Sequence, residues 1–283
     1  MRRAMINAMA FWLDSVGIDG FRCDVAGEVP TDFWNEAFGE LRLSHHDLFT
    51  LAEDEDKAQE LTESAFDMYY GWTLHHLMND VAQGHKTVQD LWDYFAKADT
   101  TIRPEAIRMN FTSNHDENSW NGTEFERMGD AAHLFAAFTY VVPGMPLIYT
   151  GQMSGNHHRL AFFDKDTIDV DNNALEHNLY TGLNTLREKN IALWSPEVGA
   201  PMYRLDCDND KVFACVRPYK CEKSNYENNV IAVMNMSSDV QVVNVEVGEY
   251  EGRYTCICGK KMRLSHIQEF TLEPWSYLIF SNL

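Results

Sequence analysis

Long hydrophobic runs are missing from this sequence. No stretch comes near the roughly 18 apolar residues that a membrane-crossing helix requires, so no membrane-spanning segment is expected. Positive charge is also scarce: 23 Lys and Arg stand against 43 Asp and Glu, a net charge of −20. That balance argues against nucleic acid and anionic membrane surfaces as partners, because both attract a basic face. The six cysteines form no C-x-x-C pair, and Cys256-x-Cys258 is not a zinc spacing, so no structural zinc is expected. In a strand those two residues would share a face, and packed free thiols are the reading taken. No low-complexity linker and no internal repeat is visible. The first residues are not expected to be a cleavable leader. Met1-Arg2-Arg3 precedes an apolar stretch from Ala4 to Leu13, but Asn7 interrupts it, Asp14 closes it and no small-residue cleavage site follows. A helix is expected there, and any targeting signal would lie upstream of this chain.

What is present divides into two regimes. Residues 1–197 alternate helix-like and strand-like segments, whereas 198–283 read as strands. In the first helix Ile6, Met9, Ala10, Leu13 and Val16 recur at spacings of three and four and form one apolar stripe, which Gly17 stops. Strands are expected at Ile18–Val25, Leu48–Ala52, Ala65–Tyr70, Ile107–Ser113 and Met145–Tyr149. Helices are expected from Thr31 (as N-cap) to Leu41, and over Trp72–Ala82, Val88–Ala96, Asp130–Val141 and Ala174–Lys189. Strand, loop and helix repeated in this order predict parallel strands joined by helical crossovers. After Met202 the β-branched and aromatic runs are short and separated by polar turns such as Asp208-Asn209-Asp210 and Glu227-Asn228-Asn229. These predict an antiparallel β-sandwich.

Three strand ends carry the chemistry. In Gly20-Phe21-Arg22-Cys23-Asp24-Val25, alternation puts Gly20, Arg22 and Asp24 on one face and Phe21, Cys23 and Val25 on the other. A buried face with both Arg and Asp is costly unless the charges serve each other or a ligand. An adjacent guanidinium favours ionised aspartate, the state a nucleophile needs; a buried ion pair would give the same pattern. Glu53 ends the second strand and opens the run Glu53-Asp54-Glu55-Asp56. Mutual repulsion and partial burial would raise the pKa of one of these, as a proton donor requires, and the sequence leaves the choice open. The third end, Thr112-Ser113-Asn114-His115-Asp116-Glu117-Asn118, has one histidine without a second, which is weak as a metal site. Among the aromatics of these loops (Trp34, Tyr69, Tyr70, Trp72, Trp120), Trp120 is the best candidate to stack on a ligand.

Together these segments resemble the alpha-amylase family of glycoside hydrolases. Gly20-Phe21-Arg22-Cys23-Asp24 matches the family's G-F-R-x-D strand-four motif, Leu51-Ala52-Glu53 its strand-five acid position, and Asn114-His115-Asp116 its strand-seven N-H-D motif. Gly144-Met145-Pro146-Leu147-Ile148-Tyr149-Thr150-Gly151-Gln152 matches the strand-eight signature G-x-P-x-I-Y-x-G-Q, although Met153 follows where many relatives have Glu. The resemblance implies an α/β fold: an incomplete (β/α)8 TIM-type barrel, about five of eight strands over residues 1–197, then the antiparallel β-sandwich of 198–283. It implies a retaining hydrolase of α-1,4-glucans, with Asp24 as nucleophile, Glu53 as general acid and base, and Asp116 as transition-state stabiliser. Arg22, Asn114, His115 and Trp120 would bind substrate. The alternatives are a non-catalytic glucan-binding module, or an α-glucosidase or transglycosylase on the same scaffold. No cofactor is required. Calcium is common in the family, but its usual ligands include an Asn on an earlier motif that this chain does not show, so no metal site is assigned. The 283 residues alone are expected to be weakly active or inactive, since the strand-three motif is missing. The sequence does not fix the oligomeric state.

Overall fold

The computed structural model describes residues 1–170 and 174–283. One sheet has five strands in the order β1-β2-β3-β4-β5: Gly20–Cys23, Phe49–Ala52, Met68–Tyr70, Ile107–Asn110 and Met145–Pro146. The first four pair in parallel, with Gly20 opposite Phe49 and Cys23 opposite Ala52. Helices occupy the crossovers at Thr31–Leu41, Trp72–Ala82 and Val88–Thr101. Each of the five strands is shorter than its periodicity suggests.

The chain divides into two compact units, residues 1–73 with 95–109, and residues 74–94 with 110–283. In the first, the helix Arg2–Phe11 continues into a π-helical turn, Trp12–Val16, and ends at Gly17 in the left-handed region, φ 78°. Ile6, Met9 and Leu13 from this helix pack with Cys23, Phe33, Trp34, Phe38 and Phe66. Trp34, a candidate for ligand stacking, is therefore a core residue, and its Nε1–H donates to the Ala26 carbonyl at 3.0 Å. Thr31 is not an N-cap; it is the first residue of its helix, whose cap is Pro30. Gly20 has a steric duty as well. A Cβ there would lie 2.0 Å from the Phe49 carbonyl oxygen, so only glycine lets β1 and β2 approach this closely.

The second unit contains eight more strands: β6 (Tyr203–Arg204), β7 (Val212–Lys220), β8 (Glu227–Asn235), β9 (Gln241–Glu246), β10 (Gly252–Cys256), β11 (Lys261–Leu264), β12 (Ile267–Leu272) and β13 (Tyr277–Ser281). A six-stranded sheet, β11-β10-β13-β8-β7-β6, and the pair β12-β9 are antiparallel throughout. Val212, Ala214, Val216, Ile231 and Val233 of the large sheet share a core with Val243, Val245, Phe270 and Leu272 of the pair. β7 is buried on both sides, since Phe213 stacks on Trp92 with centroids 4.2 Å apart and meets Phe138 edge-on. The expected turn at Glu227–Asn229 is instead the start of β8. Asn228 is buried there, accepting from the Ala192 amide and donating to Asn190 Oδ1. All six cysteines are free, but Cys256 and Cys258 do not share a strand face: Cys256 ends β10, buried, and Cys258 lies in the following turn, exposed.

Candidate active site

Register explains why two acids meet in the first unit. Cys23 and Ala52 are partners in the parallel ladder, so the next residues, Asp24 and Glu53, leave their strands side by side. The Glu53 amide donates to the Cys23 carbonyl at 3.0 Å, and the Ala26 amide to the Glu53 carbonyl at 3.3 Å. Arg22 then joins the side chains. Its Nη1 lies 2.5 Å from Asp24 Oδ1 and its Nη2 2.5 Å from Glu53 Oε1, so one guanidinium fork spans both carboxylates. Arg22 Nε donates to the Tyr70 hydroxyl at 3.2 Å. Burial alone would lower the pKa of Arg22, and its hydrogen bonds to Tyr70 and Asp24 outweigh that and raise it. The expected burial of this face is corrected by the structure: the Asp24 side chain is 74% exposed and that of Arg22 30%, whereas Glu53 is the sheltered member at 13%. Glu53 Oε2 accepts from the Val25 amide at 2.8 Å. To aim that amide, Val25 takes left-handed φ 46°, ψ 45°, an expensive conformation for a β-branched residue.

The rest of the acidic run is sorted by its partners. Asp54 accepts from the Lys57 amide at 2.6 Å. Glu55 turns toward the helix that starts at Trp72 and accepts from the Thr73 amide at 2.5 Å. Its pKa is raised by burial, which outweighs the hydrogen bond. The carboxylate that desolvation raises is thus Glu55, whereas the one shared with Arg22 and Asp24 is Glu53.

In the second unit, Phe111–Asp116 follows β4. Asn114 is buried; its Oδ1 accepts from the Glu117 amide at 2.8 Å and starts the π-helical turn Glu117–Asn121. Its Nδ2 and the Ser113 hydroxyl are buried without a hydrogen-bond partner among the described residues. His115 and Asp116 are partly exposed, with Nε2 3.4 Å from Oδ2. Trp120, at the end of the turn, is 56% exposed. Of the other aromatic candidates Tyr69 and Tyr70 are buried, and Trp72 is half-buried against Tyr70.

Beneath this strand end lies a polar cluster that sequence reasoning missed. His75 Nδ1 is 3.1 Å from the Phe111 carbonyl, and its Nε2 3.0 Å from Glu117 Oε2. Arg127 donates to the Thr112 carbonyl at 2.7 Å and to Asn79 Oδ1 at 2.9 Å, and Gln152 donates to the Thr112 hydroxyl at 2.9 Å. The carbonyls that would otherwise be orphaned as the strand ends are thereby satisfied from two helices. Burial pulls His75 below its ordinary pKa. Burial would raise Glu117, but the hydrogen bond from His75, the charge of His75 and the hydrogen bond from Asn121 hold it down to about 2. The two titrate as a pair, and the proton between them belongs to both. His75, His76 and Glu117 bring ligand-type atoms within 4.8 Å of one another. Arg127 Nη1 stands 3.4 Å from His75 Nε2 and opposes a cation there, and two imidazoles are poor donors for calcium, a hard ion that takes oxygen ligands. No sequence signal pointed to this cluster, since His75 lies 36 to 52 positions from Phe111, Glu117 and Arg127.

Residues 1–197 match the family model of the alpha amylase catalytic domain. Alpha-amylase MalA of Haloarcula japonica is 26% identical over 251 residues, 88% of this chain and 35% of that protein. The 1,4-alpha-glucan branching enzyme GlgB of Bacillus cereus is 23% identical over 317 aligned positions, 95% of this chain and 48% of its own length. The crystal structure of the noncanonic maltogenic alpha-amylase AmyB from Thermotoga neapolitana superposes with a TM-score of 0.85 at 22% identity, covering 100% of this chain and 65% of that one. The chain therefore spans about a third to a half of the curated relatives it matches.

Proposed function

The chain belongs to the alpha-amylase family of glycoside hydrolases, and from that premise we propose that it serves retaining hydrolysis of α-1,4-glucans, starch or maltooligosaccharides. The observation that carries this reading is the pair of strand-end acids, Asp24 and Glu53, held by the two arms of Arg22. Retention needs two carboxyl groups close enough to act on one anomeric carbon from opposite sides, about 5 Å apart. Asp24, exposed and paired with a cation, attacks that carbon; Glu53 gives its proton to the departing glycosidic oxygen. The resulting glycosyl ester on Asp24 is opened by water, whose proton returns to Glu53. Asp116 bonds sugar hydroxyls as positive charge develops, His115 bonds the same sugar, and Trp120 stacks on a ring. Asn114 acts from below, holding the turn that carries His115 and Asp116. Both oxygens of Glu53 accept hydrogen bonds here, so its acid role requires a proton and release of one oxygen from Arg22 or Val25.

A mechanism-based fluoroglycosyl reagent tests the reading: peptide mapping is expected to find the label on Asp24, and Asp24→Asn is expected to take up none. A label elsewhere, or none where glucan binds, would favour a non-catalytic glucan-binding module. The similarity to a branching enzyme supports a second reading, transfer to a sugar hydroxyl instead of water; product analysis with maltooligosaccharide acceptors separates the two. The polypeptide 1–283 assayed alone is expected to turn over glucan far more slowly than a complete family member, because relatives place much of their chain outside the region matched here. Comparable turnover would refute that expectation.

A further inference from the structure

The hairpin of β10 and β11, within the second unit, carries two thiols that the glycosidase reading leaves unused. Cys256 ends β10, and Cys258 stands two residues on, in a turn that is short because β11 begins at Lys261. The Gly259 amide donates to the Cys256 carbonyl at 2.7 Å, and the Cys256 amide to the Lys260 carbonyl at 2.8 Å. Gly259 completes the turn at φ 84°, where a glycine meets no steric conflict. From the neighbouring strand, the Ile279 carbonyl accepts from the Ile257 amide at 2.8 Å. The backbone that carries both thiols is thus fixed on two sides.

Chain geometry brings the two sulfurs within bonding reach. Residues two apart span at most about 7 Å when extended, and a turn shortens this into the range of about 4.4–6.8 Å between Cα atoms that a disulfide bridges. The side chains already meet, with the Cys256 S–H donating to the Cys258 sulfur. Their access to solvent differs. Cys256 is 4% exposed and packs in the core with Tyr254, Leu264 and Phe280, whereas Cys258 is exposed. Charge marks the hairpin as well. Residues 252–264 contain Arg253, Lys260, Lys261 and Arg263 and no Asp or Glu, in a chain of net charge −20. Basic surroundings favour a thiolate. The hydrogen bond from Cys256, the Lys260 amide and the Lys260 charge hold Cys258 below the usual thiol range, while burial pushes Cys256 above it. Tyr277 of β13, the titratable group beside Cys256 on the neighbouring strand, is pushed up to about 12 by burial and stays neutral.

We propose that Cys256 and Cys258 form a redox-active dithiol whose co-substrate is a small anionic disulfide, with Cys258 as the attacking sulfur and Cys256 as the resolving one. The Cys258 thiolate attacks one sulfur of R–S–S–R. A Cys258–S–S–R bond forms, the original S–S bond breaks and one thiolate RS⁻ leaves, taking a proton from solvent. Cys256 then loses its proton to solvent, its sulfur attacks the Cys258 sulfur, and the second RS⁻ leaves and is protonated. Two protein thiols are oxidised to one disulfide, and the small disulfide is reduced to two thiols. The four cations of the hairpin draw an anionic co-substrate to the exposed sulfur.

The test incubates the fully reduced 1–283 protein with glutathione disulfide, blocks the remaining thiols with iodoacetamide and maps tryptic peptides by mass. Cleavage after Arg253 and Lys260 leaves both cysteines in one peptide, Tyr254–Lys260. That peptide is expected to lose two hydrogens and to take up no alkyl group. Cys256→Ala is expected to stop after the first step and retain one glutathionyl group on Cys258, and Cys258→Ser to lose the reaction at this peptide altogether. Circular dichroism confirms that both variants fold, and the peptide of the unmodified protein decides the matter if Cys256→Ala does not. The reaction is expected to run several-fold faster in the folded protein than in urea. Two alkyl groups on the peptide would overturn the proposal, as would a glutathionyl group that persists on Cys258 of the unmodified protein. Equal rates in the folded protein and in urea would also overturn it, since the hairpin would then contribute nothing beyond the spacing of the two cysteines.

Discussion

At the scale of single residues, the candidate site is held by an expensive backbone conformation. Val25 stands between Asp24 and Ala26 at φ 46°, ψ 45°, where a non-glycine residue costs about 1–3 kcal/mol. The return is the amide that Glu53 Oε2 accepts at 2.8 Å. Substitution Val25→Gly keeps that amide and removes the Cβ conflict, at an entropic cost of about 1 kcal/mol in the unfolded chain. The variant is therefore expected to be as stable as the parent or about 1 kcal/mol more so in urea unfolding, where most substitutions destabilise. Clear destabilisation would show that the valine side chain contributes packing which outweighs its strain.

At the scale of elements, the segment bearing His115 and Asp116 depends on what lies under it. The turn Glu117–Asn121 is attached to two helices through Glu117, His75 and Arg127. Glu117 is depressed from 4.5 to about 2 in the folded protein. The unfolded chain therefore binds its proton first as pH falls, so the stabilisation is full above pH 4.5 and is lost progressively toward pH 2. His75 is depressed as well, and its neutral form favours the fold, so acid costs stability there too, starting below the ordinary histidine pKa. Both signs agree. The protein is expected to lose on the order of 3 kcal/mol at most between pH 4.5 and 2 through Glu117. In Glu117→Gln that part of the stability–pH curve is expected to flatten, as followed by urea unfolding at a series of pH values. An unchanged slope in the variant would place the acid sensitivity elsewhere.

At the scale of the whole molecule, local pattern and tertiary context divide the legibility of the sequence. The helices Trp72–Ala82 and Ala174–Lys189 were legible to the residue because their apolar spacing is regular. The Gly20–Asp24, Glu53 and Asn114–Asp116 segments were legible as motifs at strand ends. What periodicity could not reveal was set by partners distant in sequence. Glu227–Asn229 reads as a turn by composition, but Asn228 finds Ala192 and Asn190 and stays in β8. The short helices Ala58–Thr62 and Glu124–Met128 are too brief to show a period. Arg217 too is set by partners distant in sequence. It lies within β7 and is 1% exposed, with Nε donating to the Ala200 carbonyl at 2.6 Å and Nη1 to the Val141 carbonyl at 2.8 Å. One side chain thus satisfies the end of the helix Ala132–Val141 and the segment that leads into β6. Arg217→Ala would leave two buried carbonyls unanswered and open a cavity, so it is expected to cost about 3 kcal/mol or more. Arg217→Met, which refills the volume without the donors, should recover only the packing part, about half. The comparison isolates hydrogen bonding from volume. If methionine restored full stability in chemical denaturation, Arg217 would be a space-filling residue and the link from β7 to the helical segment would be apolar.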